Sequence, residues 1–384
     1  MKSIQKQIFN MKSISMITTL EKKITDWKSE YRIDGNSLAF YRIFFCVIFG
    51  IFFLPSYAWI GEVPKAFFTP PMLSIASLFS SFPDKSFFLF LDVAICASLV
   101  LVALGFFTRV STGALLLAML VGNNFQYSFG KIDHSIFVLC VLLVMLVVNW
   151  GQSLSIDQIL FKRRPRNDSS IWLLGLLVAF GFFTAGFGKA IVWIDFDFNT
   201  NGFLTWLNSG YYNFNRQELL APAAVALRPL WIWEFADIAA VVFELGFIIA
   251  MLRRRFVMTW LMIACFFHLT NCLVLNIPFT PYTICYLAFI PWSKLIPKLE
   301  TLSRLPSWSW VAIGITMTLI ALPFDLFSIL NSPSWRLERG IVLWTFTAAI
   351  FATTLWKTRF TQTDDAHGET QVISTIQIPR RLAS

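Results

Sequence analysis

Ten apolar stretches recur along the chain, at 38–60, 87–107, 111–128, 133–149, 170–188, 232–252, 256–276, 281–293, 308–328 and 340–356. Most are near the ~20 residues a helix needs to cross hydrocarbon, and a single segment in lipid satisfies its own backbone polar groups only as a helix. The pattern predicts an all-α, polytopic transmembrane helical bundle of about ten membrane segments. The stretch 281–293 is short for a crossing and is expected to be re-entrant or to borrow length from its neighbours. Only 14% of the residues are charged, against roughly 25% in a soluble domain, so most of the chain must lie in a bilayer. The 41 Phe and 15 Trp suit helices that face lipid and carry interfacial belts.

Charge supplies an orientation, because cytoplasmic loops collect Lys and Arg. With the N-terminus inside and ten crossings, the inner segments hold 22 basic residues and the outer ones eight. Both termini are therefore expected in the cytoplasm and the loop 190–231 outside, in the cytoplasmic membrane if the source is bacterial. The net charge of +9 then reflects loops facing anionic membrane lipid, with no nucleic acid as partner. Residues 1–35 read as a basic arm in which Ile17, Leu20, Ile24, Trp27 and Tyr31 recur at helical spacing between lysines. Residues 36–293 form the main membrane domain, 294–357 add C-terminal membrane helices, and 358–384 are polar and aperiodic, as expected of a flexible cytoplasmic tail. The opening residues lack the apolar core and cleavage site of a signal peptide, so the first helix is expected to act as an uncleaved insertion signal. All six cysteines fall inside apolar stretches without metal-type spacing and read as core thiols.

Ionisable residues inside a bilayer are costly enough to be treated as functional hypotheses. Lys189 closes the run FFTAGFGKAIVW at the outer end of its helix. His134 follows Asp133 at the outer start of another. His268 is placed in the outer half of the membrane, with Asn271 one turn further along the same face. Glu234 and Asp237 enter from the outside on one helix face, and Glu244 continues that face roughly 15 Å deeper. These residues share one side of the bilayer. Lysine at a helix end commonly snorkels to the headgroups; held in a dry site, it more readily gives up its proton and becomes a base, with a histidine to orient it or relay the proton. Gly181, Gly186 and Gly188 would let a helix or a flat ligand approach the backbone. Glu234 and Asp237 are expected at the interface, Arg42 is expected to snorkel, and Asp92 to pair with a nearby cation.

Four stretches, in order, resemble one family. FFTAGFGKAIVW is similar to the lysine motif of the vitamin K-dependent gamma-glutamyl carboxylase and of its bacterial relatives, the horizontally transferred transmembrane (HTTM) domain proteins. LAFYRIFFCVIFG resembles the family's first helix with its arginine, GKIDHSIFVLCVLLVMLVVNWGQSLSID its histidine-to-Ser-x-Asp helix, and FFHLTNCLVLNIPF its later histidine helix. The resemblance implies that Lys189 deprotonates a reduced, vitamin K-like quinone, with O2 and CO2 as co-reactants, and that His134 assists it. It implies a carboxylase-like (lyase) or quinone-oxidising, epoxidase-type reaction that can be coupled to a peptide. His268, Asn271, Glu244 and Asp133, placed on the same side of the bilayer, are expected as supporting residues. The carboxylase's large extramembrane portion has no counterpart in these 384 residues, and IDFDFNTNGFLTW departs from the family's pattern. Short HTTM proteins also resemble a membrane component that helps mature a sporulation-delaying peptide toxin. The alternative is therefore a non-catalytic protein that matures or escorts a secreted peptide.

Overall fold

The computed structural model describes residues 2–130, 135–195, 197, 200–296, 298 and 333–374, and of 2–15 and 359–374 it describes the backbone alone. The expected crossing at 308–328 lies outside the described residues, as do Asp133 and His134. Fourteen α-helices are described: α1 (Lys2–Glu30), α2 (Gly35–Phe52), α3 (Lys85–Leu104), α4 (Thr108–Gln126), α5 (Ile136–Val147), α6 (Ile156–Leu160), α7 (Trp172–Trp193), α8 (Gly202–Asn213), α9 (Ala221–Val225), α10 (Leu230–Ala250), α11 (Arg254–Leu275), α12 (Pro281–Leu287), α13 (Trp292–Leu295) and α14 (Arg336–Ser374). Five are long and apolar enough to cross a membrane: α2, α3, α7, α11 and the Arg336–Thr358 part of α14. No strand occurs among the described residues beyond one bridge between Ile33 and Asp168. Short connections make sequence neighbours antiparallel, so α3 packs on α4, and α7 packs on α10 and α11 on α14 across the bundle.

Met251, Arg253 and Arg254, at the turn between α10 and α11, mark what we call the basic end of the bundle. The arm docks there: Trp27 Nε1 and Tyr31 Oη both donate to the Met251 carbonyl, at 2.8 and 2.6 Å, and Arg253 pairs with Glu30 at 2.7 Å. Ile17, Leu20 and Ile24 remain exposed along α1.

The stretch 281–293 is not a continuous spanning helix. It supplies only the seven residues of α12, about 10 Å of rise, followed by the four residues of α13. Tyr282 to Ile290 are all buried, and Ser293 Oγ reaches Asp34 at the basic end, 2.8 Å away. Non-helical backbone is tolerated at membrane depth when protein sheathes it, as it does Tyr282 to Ile290 here.

Two charged residues differ from expectation. Arg42 does not snorkel: it is fully buried and donates to three carbonyls, those of Trp150 (2.8 Å), Ser153 (3.3 Å) and Leu154. Asp157 lies beside it and caps α4, accepting the Phe107 and Thr108 N–H groups at 2.7 and 2.8 Å. Gly105, which ends α3 with φ 66°, completes this knot, because a Cβ there would lie 2.3 Å from the Ser155 Cβ. The arginine of the first helix and the Ser-x-Asp of the later one thus meet in one structural cluster. Asp92, expected beside a cation, instead accepts the Tyr57 and Ala58 N–H groups at 2.8 and 3.1 Å, holding the loop after α2. The last helix runs on to Ser374, into the stretch expected to be an aperiodic tail.

Candidate functional site: an aromatic cavity with a lysine–glutamate pair

The helix α7 extends to Trp193, beyond the 188 boundary of the apolar run, so Lys189 stands a full turn inside its helix. Gly186 lies one turn earlier on the same face. A Cβ at Gly186 would sit 2.8 Å from the Glu244 Cβ. The bare backbone there lets α10 approach closely enough for Lys189 Nζ to donate to Glu244 Oε1. The ammonium also lies 5.2 Å from the Trp193 ring centroid, a cation–π arrangement. The pair is unevenly shielded, with the Lys189 side chain 26% exposed and that of Glu244 4%. The other carboxylate oxygen, Glu244 Oε2, is buried and has no hydrogen-bond partner among the described residues.

A cavity of about 180 Å³ opens beside the pair. Phe182, Trp193, Phe203, Trp206, Phe279 and Tyr282 give it flat aromatic walls, and His268 and Asn271 add polar groups. Both are buried. The His268 Nε2 is 2.9 Å from the Tyr286 hydroxyl, and its ring is stacked with Tyr282 (4.9 Å) and Trp344 (4.6 Å). The aromatic stack holds the imidazole in one plane and the tyrosine fixes one of its nitrogens.

Of the six residues expected to form a site, Lys189, Glu244, His268 and Asn271 line this one cavity, while His134 and Asp133 lie outside the described residues. Among the described residues the charged partner of Lys189 is Glu244, which depth counting places only as a supporting group. The usable signal was Gly186, which marks the side of α7 that another helix must approach. The roles of Tyr286 and Trp344 had no signal in sequence, since aromatics are abundant in every segment.

Glu234 and Asp237, expected at the interface, are buried. Asp237 caps α8 by accepting the Gly202 and Phe203 N–H groups at 2.8 and 2.7 Å, which sets Phe203 against the cavity. Before α8, the Thr200 hydroxyl and the Asp197 N–H hold the Asp195 carboxyl below the usual carboxylate range. Chemically, the Lys189–Glu244 hydrogen bond offers a route for a proton between amine and carboxylate, at the wall of a space shaped for a flat, apolar molecule. No protein-family model, curated protein or solved structure matches this chain.

Proposed function

We propose that the chain is an integral membrane protein of the carboxylase-like HTTM type, and that its cavity takes a lipid-soluble reactant of the reduced-quinone class. The observation that carries this reading is the Lys189–Glu244 pair set into aromatic walls. Its basic end faces the cytoplasm, in line with the 22-to-8 division of basic residues, and the cavity opens near the other face. Flat rings fit between Phe and Trp side chains, and the buried Glu244 Oε2 without a donor suits a ligand hydroxyl. A reduced quinone, when bound, supplies such an ionisable hydroxyl and two electrons to an oxidant such as O2.

The chain's own groups do the proton work. With its proton resting on Glu244, Lys189 presents a neutral amine to the cavity and accepts the ligand's hydroxyl proton. Glu244 acts as the positioning residue and proton store, and His268, braced by Tyr286, orients the far edge of the ligand. Asn271 offers an amide to the same space. CO2 capture and peptide modification belong to the same proposal as the use made of the resulting chemistry, and maturation or escort of a secreted peptide is the competing reading.

The test is turnover of a reduced quinone under O2 by the full chain in nanodiscs, with products separated by chromatography. Glu244→Gln is expected to lower turnover at least ~10-fold, because the amide cannot take the lysine's proton. A Lys189→Met/Glu244→Met double variant should fold as well as wild type, since replacing both members of a buried pair by apolar groups is often neutral, and should show no turnover. Wild-type turnover in Glu244→Gln would remove the chemical role and leave the pair as a structural contact, as the escort reading requires.

A further inference from the structure

Phe279 has a left-handed backbone, with φ 45°, in the linker between α11 and α12. Glycine adopts that conformation freely; for a bulky aromatic it is an outlier that persists only where the surroundings hold it. They hold it on both sides. Trp344 Nε1 of α14 donates to the Pro278 carbonyl, and Gly340, one turn before Trp344, lies so close that a Cβ there would come 2.7 Å from the Pro278 Cβ. Beyond Phe279, the Thr280 carbonyl accepts the Thr283 N–H and hydroxyl at 3.0 and 2.7 Å, and the Phe279 carbonyl itself accepts the Tyr282 N–H at 3.3 Å.

A strained residue in the wall of a ligand cavity points to a use for its side chain. The Phe279 ring lines the cavity and stands 5.4 Å from the His268 ring and 6.4 Å from that of Tyr282, centroid to centroid. With Tyr282 and Trp344 already stacked on the imidazole, three aromatic rings enclose this end of the cavity. The space left is small. A cavity of roughly 150 Å³ holds a benzene-sized molecule, and this one, at about 180 Å³, has room for one substituted ring. Burial also orients the cavity: His268 is buried, whereas Trp206, on the same wall lining, is exposed. In an alkylated quinol, the tail and a fused second ring occupy opposite edges of the reactive ring. A tail leaving past Trp206 therefore turns the opposite edge toward His268 and Phe279.

We infer that Phe279 sets the ring size the cavity accepts: a substituted benzoquinol fits, and a fused, two-ring naphthoquinol is excluded. This specificity rests on the quinone reading above and narrows it. Phe279 acts by occupying the space that the second ring needs, and α14, through Gly340 and Trp344, keeps the strained linker in place.

The full chain in nanodiscs, kept anaerobic, is titrated with an alkyl-benzoquinol and with the naphthoquinol bearing the same alkyl chain, and binding is read as saturable quenching of tryptophan fluorescence. Wild type should bind the benzoquinol at least ~10-fold more tightly, the scale on which overfilling a packed site is penalised. Phe279→Gly and Phe279→Asn, both residue types that tolerate left-handed backbone, should erase most of that preference. Equal affinity for the two ligands in wild type, or an undiminished preference in both variants, would overturn the inference and leave the quinone reading standing. Saturable binding of neither ligand would remove both. The strain is tested without ligand: Phe279→Gly should melt above Phe279→Ala, reversing the ordinary order of these two residues. A higher midpoint for Phe279→Ala would remove the strain on which the inference stands.

Discussion

Lys189→Arg is expected to cut quinol turnover by ~100-fold or more, the scale of a lost general base, while leaving insertion and abundance at wild-type levels. The arginine keeps every electrostatic contact of the lysine: it can pair with Glu244 and lie over Trp193 as Lys189 does. It does not release its proton in a protein. The substitution therefore separates two roles that Lys189→Ala confounds. An anchor that snorkels, or a strut that neutralises Glu244, survives as arginine; a base does not. Restoring part of the turnover of Lys189→Ala with a small added primary amine would identify the missing group as an amine. Full turnover in Lys189→Arg would reduce Lys189 to an anchor or strut and end the proposal of base chemistry.

Arg42→Ala is expected to have the largest effect on stability, about 3 kcal/mol or more, because buried carbonyls left without donors cost roughly 1–3 kcal/mol each. The three acceptors at Trp150, Ser153 and Leu154 belong to the turn that carries Asp157, and that turn caps α4, so the loss should spread to the α3–α4 hairpin. Arg42→Lys should be intermediate, since one ammonium cannot reproduce the forked geometry. A thermal-melt series in nanodiscs checks the order wild type, Lys, Ala. Any Arg42→Lys protein that remains folded should turn over quinol as wild type does, because the knot lies at the ends of α3, α4 and α5 and lines no part of the cavity. Equal midpoints for all three proteins would contradict the account of the knot.

Apolar length located the long helices well, because a lipid-exposed segment has few ways to satisfy its backbone. It also marked 281–293 as too short for a crossing, and there Tyr282 to Ile290 are buried by protein and the requirement for a continuous helix lapses. Depth counting brought Glu244 and His268 toward one another, since rise per residue is fixed. It ended the helix of Lys189 one turn too early, since α7 continues through the apolar residues 190–193, and Glu244 and Trp193 receive the charge within it. Partner choice was not legible: which of several carboxylates meets the lysine depends on helix rotation, and the sequence records that only indirectly, through Gly186. Arg42, Asp92, Glu234 and Asp237 were read by depth alone, yet each is decided by a backbone or amide contact with a segment distant in sequence.

The claim that the cavity takes a flat, quinone-class molecule is tested most directly by photo-crosslinking. A reduced azido-quinone would be irradiated with the full chain in nanodiscs, and the labelled peptides read by mass spectrometry with and without excess unlabelled quinone. The account predicts saturable, competed labelling on peptides bearing Trp193, Phe203 and Phe279, which wall the cavity. Labelling that does not saturate, or that falls only on exposed faces of α7 such as Phe180 and Ile191, would contradict it.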